Sequence, residues 1–207
     1  MSSPSTPLTQ AYPSKCATCD MLAHAPLVCP ECHELLGHVQ GADYFELLGL
    51  PRSYRIDESA LSSRYRAVSR NIHPDRFAGA DDEMQSIALR LSAAVNRAYE
   101  VLRDPLLRAE YLLESTGGAS AAKDKSVPGD LLTRVMMTRE EMEDARAGGD
   151  EAKVERIRRE VADDKARVEG RIAMLCDQLS SGDEGVKKQL RAELNAVKYL
   201  NNLLMHA

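Results

Sequence analysis

Apolar residues recur along most of this chain at intervals of three and four, the spacing that collects them on one side of an α-helix. Leu61, Tyr65, Val68 and Ile72 make one such stripe; Met84, Ile87, Leu91, Ala94, Ala98 and Leu102 make another. Asp57 stands where an N-cap opens the first of these helices, and Asp43 does the same for a shorter one that Gly49 and Pro51 end. Between the two stripes, the stretch from His73 to Asp82 loses the period and carries Pro74 and Gly79, which predicts a loop. The second stripe stops at Asp104-Pro105, because a proline pushes the residue before it out of helical conformation. Pro105 suits the first turn of a further helix through LLRAEYLLES, and Gly117-Gly118 close it.

Residues 116–128 read as a linker, followed by helical segments at about 130–146, 150–179 and 185–205. Gly148-Gly149 and Ser180-Ser181-Gly182 separate them, and connections this short favour antiparallel neighbours. The expected fold class is therefore all-α: a helical hairpin, then a C-terminal three-helix bundle over 129–207. Composition agrees, with 43% apolar residues but only 4% aromatic ones, no Trp, and Ala, Leu, Arg and Glu dominant.

The N-terminal part is different. Residues 1–14 are rich in Ser, Pro and Thr and are expected to be disordered, while 15–41 hold a cysteine cluster and little that would form an apolar core. Cys16-x-x-Cys19 and Cys29-x-x-Cys32 supply four thiolates in two pairs; two intervening residues let both sulfurs of a pair face one ion, and four close a tetrahedral shell. The expectation is a structural Zn²⁺ held in a small knuckle, with no open position for catalysis. An iron site or paired disulfides are the alternatives, and His24, His33 and His38 are substitutes should one thiol not bind. In so short a segment the metal would supply most of the folding free energy, on the order of 10 kcal/mol. The fifth cysteine, Cys176, sits mid-helix near Leu175 and Leu179 and reads as a buried small side chain.

A formal net charge of −5 gives no general electrostatic reason to bind nucleic acid or an anionic membrane. No apolar run approaches the roughly 18 to 20 residues that span a bilayer. The start, MSSPSTPLTQAYPS, is neither a secretory signal nor an Arg-rich transit peptide, and clustered cysteines with one outlier suit a reducing compartment. A bacterial cytoplasm is the simplest reading, with a mitochondrial matrix location open if the protein is eukaryotic.

His73-Pro74-Asp75 lies in the loop between two amphipathic helices. Alone, a tripeptide says little: Pro74 fixes a turn and Asp75 caps it. In context, ADYFELLGLP, LSSRYRAVSRNIHPDRF and NRAYEVLRDPLLRAEYLL together resemble a J-domain over residues 42–115, the module that docks on DnaK-type chaperones. The resemblance gives His73, Pro74 and Asp75 the role of helping a partner hydrolyse its ATP, with Arg76 where the family often has Lys. Arg64, Arg66 and Arg70 on the preceding helix are candidates to meet an acidic partner surface, although their spacing leaves only part of them on one face. No nucleophile or second carboxylate is placed beside Asp75, so no catalysis by the chain itself is expected.

DPLLRAEYLL, the lack of a Gly/Phe-rich linker and a C-terminal bundle resemble the HscB family, called Jac-type in some eukaryotes; a subset of it carries an N-terminal pair of CxxC knuckles. That resemblance implies a co-chaperone of iron–sulfur cluster assembly whose partners are a DnaK/HscA-type ATPase and an IscU-type scaffold. The positions implied for scaffold contact are Leu132, Met136 and Glu140, spaced i, i+4, i+8, with Tyr199 on the last helix. Leu132 and Met136 equally fit the core of the bundle, and Thr133 and Met137 depart from the family pattern at the patch's edge. Two rival readings remain: a general J-domain co-chaperone for unfolded clients, and a zinc-knuckle nucleic-acid binder. The second lacks the basic stripe with exposed aromatics that it needs.

Overall fold

The computed structural model describes residues 14–15, 19–20, 22–23, 27 and 43–206. Most of the expected disordered tail lies outside these residues, as do Cys16, Cys29, Cys32, His24, His33 and His38. Ser14, assigned to that tail by composition, is instead paired: β1 (Ser14–Lys15) runs antiparallel to β2 (Leu22–Ala23), with Ser14 opposite Ala23 and Lys15 opposite Leu22. From Asp43 onward the fold is all-α, and contacts divide the chain into two compact units at Asp104/Pro105.

In the first unit, α1 (Tyr44–Leu47) starts on a capping box: the Asp43 carboxylate accepts the Phe45 N–H at 2.8 Å, and Glu46 reaches back to the Asp43 N–H at 3.2 Å. Asp57 caps α2 (Glu58–Asn71) by accepting the N–H groups of Ser59 and Ala60. Asp81 caps α3 (Asp82–Arg103) through the Met84 N–H at 2.8 Å, and α3 ends at an extended Asp104 before Pro105. Leu61 and Ile72 of the α2 stripe meet Ala88, Leu91, Val95, Ala98 and Leu102 of α3, with Phe45 and Leu47 of α1 also buried. The stripe on α3 is rotated slightly from its expected course. Val95, not Ala94, is the buried position, which keeps the larger side chain in the core.

The second unit contains the three expected helices, α5 (Leu131–Ala147), α6 (Glu151–Gln178) and α7 (Glu184–His206), with a short 3₁₀ turn, Leu179–Ser181, between the last two. A fourth helix joins them. α4 (Pro105–Ser115) packs against α6 and α7, so the division falls at Pro105 rather than in the expected linker after residue 115. Its end is a Schellman motif: Gly118 N–H donates to Leu113 O at 2.9 Å and Gly117 N–H to Glu114 O at 3.0 Å, with Gly117 at φ +85°. Any Cβ on Gly118 would overlap the Leu113 side chain. Asn195 of α7 then fastens the linker, donating from Nδ2 to Asp124 O at 3.0 Å and Ser126 O at 2.8 Å.

Polar groups hold α4 in place. Arg191 of α7, 1% exposed, donates from Nη2 to Glu110 Oε1 at 2.9 Å, and Lys198 Nζ donates to the same oxygen at 2.8 Å. Burial pushes the Glu110 carboxyl up, but the hydrogen bonds from Lys198 and Arg191 outweigh it and hold it below the ordinary carboxylate range. A carboxylate whose pKa is depressed by folding contributes stability at neutral pH that is lost as pH falls through the folded value. Glu110→Gln should therefore destabilise the protein by about 3 kcal/mol at pH 7, the low end for breaking a buried pair, because Glu110 and Lys198 still touch water. In urea unfolding measured from pH 7 down to pH 3, the gap between wild type and variant should close as Glu110 protonates.

Candidate functional site

The loop between α2 and α3 is rooted in the core and exposed at its tip. Ile72, fully buried, ends α2; His73 turns the chain at φ −60°, ψ 130°, and Pro74 opens a single 3₁₀ turn, Pro74–Phe77. A fixed proline φ at the first helical position makes that turn cheap to form. His73 and Asp75 expose 57% and 88% of their side chains, so both are open to a partner. His73 Nδ1 accepts the Asp75 N–H at 3.3 Å and lies 3.4 Å from the Asp75 carboxylate. The tripeptide is thus a locally braced protrusion with an imidazole, a rigid ring and a carboxylate presented together. That arrangement suits docking.

The helices beneath it are locked in antiparallel register by polar and aromatic ties. Tyr65 and Tyr99 stack with centroids 4.1 Å apart and planes within 13°; Tyr65 Oη donates to Asn96 Oδ1 at 2.9 Å. Ser62 Oγ and the Tyr99 hydroxyl are 3.5 Å apart, and the Arg103 guanidinium lies 5.7 Å from the Tyr99 ring centre. The links 65–96 and 62–99 run in opposite order along the two helices, which defines the antiparallel pairing. Only Tyr65 among these ties stood out in the sequence, as an apolar stripe member; its hydroxyl and Asn96 were not legible as a pair across 31 residues.

Arg64, Arg66 and Arg70 are all exposed on α2. Arg66 and Arg70 are one turn apart on the side away from buried Leu61 and Ile72, while Arg64 is rotated from them. Two of the three therefore share a face.

On α5 the two apolar registers separate. Leu131, Val135, Met142 and Ala145 turn inward and are buried. Leu132 and Met136, one position on from the first two, are 45% and 72% exposed, and Met137 is 65% exposed. Periodicity alone could not choose between these registers; burial does, and it removes Leu132 and Met136 from the bundle core. Glu140 is exposed one turn further along. Tyr199, 38% exposed, is on α7, which packs against α5.

Of the cysteines, Cys19 is half-buried and Cys176 is buried in the second unit. Burial, with the Asp177 charge adding and Arg108 opposing, pushes the Cys176 thiol up to about 12. It is a protonated core side chain at neutral pH, not a nucleophile. No cluster of three potential metal ligands occurs among the described residues, and no helix among them is long and apolar enough to cross a membrane.

The chain matches the DnaJ domain family over residues 43–111 and the HSCB C-terminal oligomerisation domain family over residues 127–206. It is similar to the co-chaperone protein HscB homologue of Burkholderia thailandensis, 37% identical over 150 residues, covering 72% of this chain and 84% of the relative. The homologue of Chromobacterium violaceum is 38% identical over 137 residues, covering 65% and 78%. Among solved structures, human co-chaperone protein HscB shares the fold with a TM-score of 0.74 over 93% of this chain and 96% of that one, at 24% identity. Chaperone HscB from Vibrio cholerae gives 0.63 over 80% and 94%, at 32% identity.

Proposed function

Because the chain belongs to the HscB family, the J-domain co-chaperones of iron–sulfur cluster biogenesis, we propose that it carries an IscU-type scaffold protein to a DnaK/HscA-type chaperone and stimulates that chaperone's ATPase. The chain is a co-chaperone and not itself an enzyme; any hydrolysis takes place on the partner. His73, Pro74 and Asp75 make the activating contact, and Arg66 and Arg70 steer an acidic partner surface onto α2, with Arg64 at its margin. Leu132, Met136 and Tyr199 hold the scaffold, with Glu140 at the polar flank.

One observation carries this reading. α5 buries Leu131 and Val135 yet leaves Leu132, Met136 and Met137 in water, an apolar surface that a solitary bundle gains nothing by exposing. Covering a Leu or Met side chain is worth roughly 1.5–3 kcal/mol, enough for two or three such residues to anchor a partner. Methionine is flexible and polarisable, which suits a surface that moulds itself to a client. The relatives at 37% and 38% identity are bacterial, and we place the activity in the cytoplasm.

A Zn²⁺ ion on Cys16, Cys19, Cys29 and Cys32 is the second part of the proposal. In support, the β1–β2 ladder brackets the first cysteine pair in the chain, and Asp20, next to Cys19, is at φ +58°, a conformation of tight turns. The four thiolates would close the shell and leave the ion a purely structural staple.

Three experiments test these assignments. His73→Gln should abolish ATPase stimulation and leave scaffold capture intact. Leu132→Ala/Met136→Ala/Tyr199→Ala should lower scaffold affinity about 100-fold, the equivalent of roughly 3 kcal/mol, with basal stimulation unchanged. Full stimulation by the first variant, or unchanged capture by the second, contradicts the reading; equal capture of a general unfolded client would favour a generalist co-chaperone. For the metal, the purified chain should hold one zinc per molecule and, with cobalt, show the visible bands of a tetrahedral thiolate site. Four thiols reacting at once with a thiol reagent in the untreated protein would overturn it.

A further inference from the structure

We infer that Gln85, in the first turn of α3, is a positioning residue for the activating loop; this rests on the reading of His73-Pro74-Asp75 as the contact with the ATPase. Hydrogen bonds inside the loop are short-range: Asp75 N–H to His73 Nδ1, Arg76 N–H to His73 O at 3.0 Å, Ala78 N–H to Asp75 O at 3.4 Å and Ala80 N–H to Phe77 O at 3.0 Å. These curl the segment but do not fasten it to anything. Gln85 does. Its Nε2 donates to Ala80 O at 2.8 Å and reaches Ala78 O at 3.4 Å, while its own backbone N–H donates to Asp81 O at 3.0 Å. Among the described residues these are the side-chain hydrogen bonds that run from a helix to the backbone of the loop.

The consequence follows from how the loop is supported at each end. On the α2 side, buried Ile72 directly precedes His73. On the α3 side the loop must reach Asp81 through Phe77, which is half-buried, and the small exposed residues Ala78 and Gly79. Ala78 and Gly79 are exposed and put no side chain into the core, so beyond Phe77 the amide of Gln85 supplies the anchor. With both ends held, the exposed tip has few conformations to give up when a partner closes on it, which improves apparent affinity without adding a contact.

The chemistry demands a donor of this length. Asn is one methylene too short, and an ionised Glu has the same shape but presents oxygen to two carbonyl oxygens. Gln85→Glu is therefore a near-isosteric reversal of polarity, and Gln85→Met keeps the length with no donor.

The test is a titration of a DnaK-type ATPase with full-length variants, read as half-saturating concentration and maximal stimulation separately, with amide hydrogen exchange at Asp75, Arg76, Ala78 and Ala80. Gln85→Met should raise the half-saturating concentration on the order of fivefold, the equivalent of one lost neutral hydrogen bond, and Gln85→Glu should raise it further. Maximal stimulation and scaffold capture should stay at the wild-type level, and loop amides should exchange faster while those of mid-α3 do not. Wild-type half-saturation in both variants overturns the inference, as does a change that tracks global melting with loop exchange unaltered. His73→Gln runs alongside: if it stimulates fully, the reading of the loop fails, whereas an inactive His73→Gln with unaffected Gln85 variants sinks only the role of Gln85.

Discussion

The antiparallel packing of α2 on α3 is what everything else in the first unit leans on. Leu61 and Ile72 from one helix and Leu91, Val95, Ala98 and Leu102 from the other are buried, each large side chain worth roughly 1.5–3 kcal/mol of burial. That apolar seam fixes distance; the Tyr65–Tyr99 stack and the Tyr65–Asn96 hydrogen bond fix register. A loop carried by such a pair emerges at a defined place and angle. His73 and Asp75 are accordingly exposed without being adrift, since the residue just before them is in the core.

The second unit solves a different problem, that of a helix asked to be core on one side and sticky on the other. α5 does so by running two apolar registers one residue apart, Leu131/Val135 inward and Leu132/Met136 outward. α4 is recruited to this unit through Glu110, whose carboxylate accepts hydrogen bonds from both Arg191 and Lys198 of α7. The DnaJ-domain match extends to residue 111, whereas packing places the helix holding Glu110 in the second unit. The last stretch of the DnaJ-domain match is thus a structural part of the C-terminal unit.

Much of this was legible in the residues. Asp43 and Asp57 cap where capping chemistry predicts, Asp104 is extended before Pro105, and Gly117-Gly118 form the Schellman end. These signals are local, so a single strand of text carries them. The allegiance of α4 was not legible, because it depends on Glu110 meeting Arg191 across 81 residues. Nor was the choice between the two registers of α5, since a helix with apolar residues on both sides has no preferred face until its neighbours bury one. Gln85 looked like any polar residue in a first turn. Its role exists only in the geometry of Ala78 and Ala80. Of the cysteine knuckle, the spacing was plain, but only the fold-back around Cys19 falls among the described residues.

In the proposed delivery mechanism one chain holds the scaffold and touches the ATPase at the same time. Mixing His73→Gln protein with Leu132→Ala/Met136→Ala/Tyr199→Ala protein tests this directly, because each retains the arm the other lacks. Scaffold-dependent ATPase stimulation by the mixture should stay near the sum of the two variants alone, far below that of the same concentration of wild type. Recovery of wild-type stimulation from the mixture would show that the two arms need not share a chain, and the delivery account would be wrong.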